Sequence, residues 1–147
     1  MGESIKPLLK SGSHLLLSYH GIPVSQEQRG RISYYNHCMK TTESIKNYLG
    51  LTDKQISISF QSRVGVNKWL EPSTEAKAAE LAKSGVKNLQ VACPSFVADC
   101  LETIEEIGIE LKHNYTAAGG ESFELIPCLN DNDLFVKGLA DFLKAQP

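Results

Sequence analysis

The residues with the strongest chemical potential are a histidine, a row of glutamates and a short polar run. His20 stands in SYHGIP (Ser18 to Pro23). An imidazole whose unperturbed pKa is about 6.5 can accept a proton near neutral pH, and in its neutral form it can ligate a transition metal. Glu102, Glu106 and Glu110 recur at intervals of four, so on a helix they share one face, with Glu105 on a neighbouring one. Like charges at this spacing cost a few tenths of a kcal/mol per pair, so helix propensity does not account for them. Such a row is either a solvated acidic face or a track that attracts a divalent cation and exchanges it readily. In FQSRVG (Phe60 to Gly65) and WLEPSTE (Trp69 to Glu75), Gln61 and Ser62 are hydrogen-bond donors. Arg63 is a planar fork suited to a carboxylate, and Trp69 is a flat apolar face.

Each of these has a plainer reading. His20 could be a histidine tied to backbone at a strand end. Asp99 lies three residues before Glu102, the spacing of a capped helix start in which the glutamate folds back on a backbone N–H. Trp69 could be core packing and Arg63 a surface ion pair. His14, His37 and His113 read as surface residues.

The elements that would position these side chains alternate strand and helix. HLLLSY from His14 is a nearly unbroken apolar run, as in a strand covered on both faces. Further strands are expected at Gln55–Phe60, Asn88–Ala92 and Phe123–Ile126. Helices are expected at Asn36–Leu49, Ser73–Lys83 (capped by Ser73, with Gly85 just past the end) and Cys100–Ala117, with a last one opened by Asp131 and Asp133. Ile5–Lys10 reads as a short amphipathic piece, and the segment after His20 as a loop. This pattern predicts an α/β domain over residues 1–147, a single four-stranded parallel sheet flanked by helices on both faces. Ligands of such sheets bind beyond the carboxyl ends of the strands. His20, Gln61 to Arg63, the approach to Glu102, and Pro127 to Asp131 all fall there.

Composition narrows the function. With 147 residues, 41% hydrophobic and a net charge of −2, the chain has the make-up of one globular domain without a nucleic-acid-binding charge. No apolar stretch reaches the roughly 20 residues of a membrane span, and no targeting pattern opens the chain, so a cytoplasmic location is expected. Cys38, Cys93, Cys100 and Cys128 form no CxxC pair. They read as reduced, packed thiols, and an iron–sulfur cluster is disfavoured because the spacings match none of the usual cluster runs.

The runs SYHGIP, FQSRVG with WLEPSTE, SFVADCLET (Ser95 to Thr103) and PCLND (Pro127 to Asp131), in this order, resemble the second domain of ferrochelatases. The likeness spans about Ser4 to Leu143 and is nearest the proteobacterial type. It implies a chelatase-like, Rossmann-like half of a two-domain enzyme that inserts Fe2+ into protoporphyrin IX to form protohaem. His20 matches the family's active-site histidine and Glu102 its active-site glutamate. Glu106 and Glu110 match an acidic file that passes metal inward, and Gln61, Ser62, Arg63 and Trp69 become candidate porphyrin contacts. Iron is then a substrate, and no permanently bound cofactor is implied. Two features depart from the pattern: Cys100 stands where many members have histidine, and RGRISYY (Arg29 to Tyr35) lacks a loop aspartate.

The resemblance also implies an absent N-terminal domain, and a chain that is an incomplete enzyme alone. Its open face would make homodimerisation plausible, and the full-length enzyme would be free to sit peripherally at a membrane. Competing readings are a small homodimeric cobalt- or nickel-type chelatase, a non-catalytic porphyrin- or metal-binding domain, and a purely structural platform. Whether His20 accepts the proton or ligates the metal is left open by the sequence.

Overall fold

The computed structural model describes residues 1–146. At its centre four parallel strands, β1 (His14–His20), β2 (Ile56–Gln61), β3 (Asn88–Ala92) and β4 (Ser122–Leu125), stand in the order β2-β1-β3-β4. Side chains alternate across a strand, and β1 shows why its sequence does not. Leu15, Leu17 and Tyr19 enter one core with Ile45, Phe60 and Ile126, while Leu16 enters the other with Leu81, Val91, Ile107 and Tyr115. Both faces of β1 are dry, so every position through Tyr19 is buried and His20 is the first to emerge.

Helices cover the two faces. α3 (Tyr34–Leu49) places Cys38, Thr42 and Ile45 on the first core. It starts where Ser33 accepts the N–H of Asn36 and stops at Gly50, whose left-handed φ of 67° suits glycine. α4 (Thr74–Lys83) sets Ala78, Leu81 and Ala82 on the second core, with Ser73 as the expected cap accepting from Ala76 N–H. The expected long helix is a composite. α5 (Leu101–Ile104) leads through Glu105 into a π-helical segment, Glu106–Leu111, and on to α6 (Lys112–Ala117). Ile107, Leu111 and Tyr115 pack from this run onto the second core.

Four expectations need correction. The stretch after His20 contains a helix, α2 (Val24–Arg29), which buries no residue and so leaves no apolar period to read. At the amino terminus the helix is α1 (Gly2–Ile5), earlier than the piece expected at Ile5–Lys10; the following turn donates Lys10 N–H to the side chain of buried Gln90. The last helix, α7 (Asp133–Lys144), opens at Asp133 as expected but excludes Asp131, because Asn132 between them is the cap and accepts from Leu134 and Phe135. His14 is buried, only 8% exposed, with ring nitrogens 3.1 Å from the Lys54 carbonyl and 2.8 Å from Ser57 Oγ. His37 and His113 are exposed, as expected. No described helix is long and apolar enough to cross a membrane.

Candidate functional site

At the carboxyl edge of the sheet an open cavity of about 650 Å³ gathers His20, Ser62, Arg63 and Thr74 with the acidic side of the α5-to-α6 run. Glu102, Glu105, Glu106 and Glu110 all line it, and Glu75 and Asn114 extend the wall. Five carboxylates therefore face one cavity whose cationic or titratable counterparts are Arg63 and His20. A concave wall of one sign concentrates counter-ions.

The composite helix keeps the glutamates in file. An α-helix turns about 400° in four residues, so positions four apart drift by about 40° per step. The π-helical turns bond Glu110 N–H to the Glu105 carbonyl, five residues back. That wider turn reverses the drift, so Glu102, Glu106 and Glu110 reach the same cavity despite spanning two helix types. Gly108 faces inward within this segment, where an added Cβ would lie 3.3 Å from Leu125.

Backbone contacts fix the site's members. His20 is held through its peptide: its N–H donates to Ser95 Oγ at 2.7 Å, and Tyr34 Oη donates to its carbonyl at 2.8 Å. Its ring lies 5.8 Å from that of Phe96. Gly21 follows because no side chain fits there: a Cβ would stand 2.6 Å from the Gln61 carbonyl. At the start of α5 the cap is Cys100, with Thr103 Oγ1 accepting the Cys100 N–H. The Asp99 carboxylate is engaged elsewhere, by Cys128 N–H and the Asn130 amide. Glu102 is thus no partner in a capping box with Asp99. A hydrogen bond from the Cys100 thiol, its own backbone N–H and the nearby His20 hold its carboxyl below the usual glutamate range.

All four cysteines are free; Cys38, Cys93 and Cys128 are buried and Cys100 is half-buried. Burial pushes the Cys93 thiol well up and that of Cys128 up to about 12, so both remain neutral. Among the described residues, no group of three or more His, Cys, Asp or Glu side chains is set to hold a metal ion.

Comparison with known proteins gives the family. The Ferrochelatase family model matches residues 2–146. The chain belongs to the ferrochelatase family. It is similar to the ferrochelatase of Pseudomonas putida, at 41% identity over 96% of this chain and 49% of that protein. It also resembles ferrochelatase 2 of Shewanella oneidensis, at 48% identity over 88% of this chain and 39% of that one. The chain spans about half the length of the curated relatives it matches. The fold is shared with the cobalamin (vitamin B12) biosynthesis CbiX protein of Marinobacter aquaeolei, at a TM-score of 0.56 and 14% identity, covering 90% of this chain and 94% of that one.

Within this ferrochelatase-family chain the sequence-derived site divides. His20, Ser62, Arg63, Glu102, Glu106 and Glu110 line one cavity. Gln61 and Trp69 do not. Gln61 is 2% exposed, its amide spent on Ser18 Oγ and the Glu102 carbonyl. Trp69 packs its ring beside Gly21 and bridges to Pro23. Ser62 faces the cavity but gives both its N–H and its hydroxyl to Glu106, at 2.8 and 3.2 Å. Arg63 is ion-paired with Glu71 at 2.8 Å. Glu75, Glu105 and Phe96 were not singled out from the sequence as site residues. Glu75 and Phe96 stand inside the quoted runs WLEPSTE and SFVADCLET, and that membership was the available signal.

Proposed function

We propose that this chain forms one wall of a ferrochelatase site at which Fe2+ enters protoporphyrin IX to give protohaem in haem biosynthesis. The observation that supports it most is the meeting of His20 and Glu102 at one cavity, with Glu106 and Glu110 leading away from them. Metallation removes two pyrrole protons and strips water from the incoming ion. His20, exposed at the end of β1, supplies an imidazole whose one free lone pair either takes a pyrrole proton or ligates the incoming iron. Glu102 stays ionised to lower pH than an ordinary glutamate, so it can hold the cation or lead protons outward. Glu110 and Glu106 bring the metal in along the acidic wall, exchanging it without trapping it. Arg63 leaves Glu71 to pair with a porphyrin carboxylate.

The reading includes a second wall, supplied by the other half of a full-length ferrochelatase, and a cytoplasmic setting. With one wall the cleft cannot exclude water or bend the ring, so the chain alone turns over poorly. The test joins this chain to the part of the Pseudomonas putida ferrochelatase that it does not match. Anaerobic Fe2+ insertion is then followed by loss of protoporphyrin fluorescence. His20→Ala and Glu102→Gln should each lower the rate by about a hundredfold or more. A fusion whose activity ignores both substitutions would sink the site assignment. Insertion of Co2+ but not Fe2+ by a homodimer of this chain alone would favour the small-chelatase reading instead.

A further inference from the structure

We propose that Gln61 is the positioning residue that fixes His20 and Glu102 relative to each other; the inference rests on the site reading just given. Gln61 closes β2, where it stands opposite His20 in the ladder, and its carbonyl accepts the Gly21 N–H at 2.8 Å. Its main chain therefore anchors the peptide on which His20 is mounted. Its side chain reaches the other way: Nε2 donates to the Glu102 carbonyl at 2.6 Å, within the first turn of α5. One residue thus ties the histidine-bearing strand end to the glutamate-bearing helix.

The amide's orientation is set by its surroundings. Ser18 Oγ donates to Oε1 at 2.6 Å and the Cys93 thiol approaches the same oxygen at 3.4 Å, leaving Nε2 to face the carbonyl. Ser18 Oγ is itself 2.7 Å from Thr74 Oγ1, which lies 3.0 Å from Ser59 Oγ. Ser18, Ser59, Gln61 and Thr74 are all at most 3% exposed. A row of buried polar groups in an otherwise apolar strand layer is costly unless each is paired, and paired it enforces one arrangement. α5 is the opening turn of the composite run, the part of a helix that lacks intrahelical partners for its first N–H groups and depends on outside contacts to hold its place. The next residue repeats the device: Ser62, with φ of 60°, donates its N–H to Glu106. Gln61 holds the main chain of the first glutamate, and Ser62 holds the side chain of the second.

The test uses the full chain, with Co2+ as a spectroscopic probe of the acidic cavity and hydrogen exchange as a readout that needs no ligand. In Gln61→Leu, the Ile104 and Glu105 amides of the first α5 turn should exchange about tenfold faster, while those of β1 stay protected. Co2+ affinity should fall by about tenfold or more, as expected when a supporting group behind a metal ligand is removed. Adding Glu102→Gln to Gln61→Leu should then cost little more, whereas Glu110→Gln should cost the same in both backgrounds. A merely structural loss would weaken both glutamates alike. Gln61→Glu, which sets an acceptor against the Glu102 carbonyl, should exchange faster still. Should Gln61→Leu fail to fold, Ser18→Ala, which frees the amide to rotate, should still accelerate exchange at Ile104 and Glu105. Unchanged exchange at those two amides, or fully additive effects of Gln61→Leu and Glu102→Gln, overturns the proposal. If Co2+ does not bind the unaltered chain, the metal-feeding reading fails, and exchange alone decides the role of Gln61.

Discussion

His14 and His20 open and close the same strand, and their fates separate by burial alone. His14 is enclosed and its pKa is lowered, chiefly by desolvation, with Lys77 adding repulsion and the Lys54 carbonyl opposing. The unfolded chain then binds a proton near pH 6.5 that the folded chain does not, so stability rises with pH across that interval. His14's contribution is whole above its unfolded value and is lost as pH falls through it, with a slope of at most about 1.4 kcal/mol per pH unit for one proton. Urea unfolding between pH 8 and pH 5 should show a steeper acid loss in the unaltered chain than in His14→Gln. Parallel curves would mean that the ring titrates normally in the fold. This burial is not legible in the sequence: HLLLSY announces a dry strand, but whether its first residue lies inside depends on Lys54, just before β2, and Ser57 within it, which close over the ring. His20 was legible because a histidine directly after such a strand falls at the ligand edge in any parallel sheet.

Among the elements, strands and long capped helices were read correctly because burial on two faces and side-chain caps are local sequence properties. α2 leaves no sequence signal because it buries nothing, and the sequence reads α5 with the π-helical turns as one regular helix because side-chain period cannot separate a bond to the fourth residue back from one to the fifth. The end of that run carries a close fit. A Cβ on Gly120 would collide with the ring of Tyr115, which is 1% exposed and donates its hydroxyl to the Val86 carbonyl at 2.8 Å. Gly120→Ala should therefore destabilise the fold by about 1–3 kcal/mol, the usual cost of overpacking. Chemical denaturation measures it, and a second substitution, Tyr115→Leu, should remove most of the penalty. An equal penalty in both backgrounds would place the strain elsewhere.

For the molecule as a whole, α7 stands apart. It buries no residue, and Leu134, Phe142 and Leu143 are each more than 60% exposed. An apolar stripe of this kind on a separate chain promotes association. Sedimentation velocity should show concentration-dependent self-association of the chain, relieved by Phe142→Glu with Leu139→Lys. The unfolding free energy should stay within about 0.5 kcal/mol, because α7 buries neither side chain. A chain that stays monomeric at high concentration would contradict this.

The sequence by itself determined the layer architecture, the sheet edge at which the cavity opens, and the family, because periodicity, caps and ordered motifs are written along the chain. Only the tertiary structure decided which members of those motifs line the cavity and which lie behind it. Gln61, Ser62 and Arg63 are consecutive, yet one is buried under α5, one is bonded to Glu106 and one is exposed beside Glu71. Only Gln61 lies in β2; Ser62, at a φ of 60°, turns the chain out of it. What Gln61 and Ser62 meet is set by a helix some 40 residues away, whose approach no local pattern encodes.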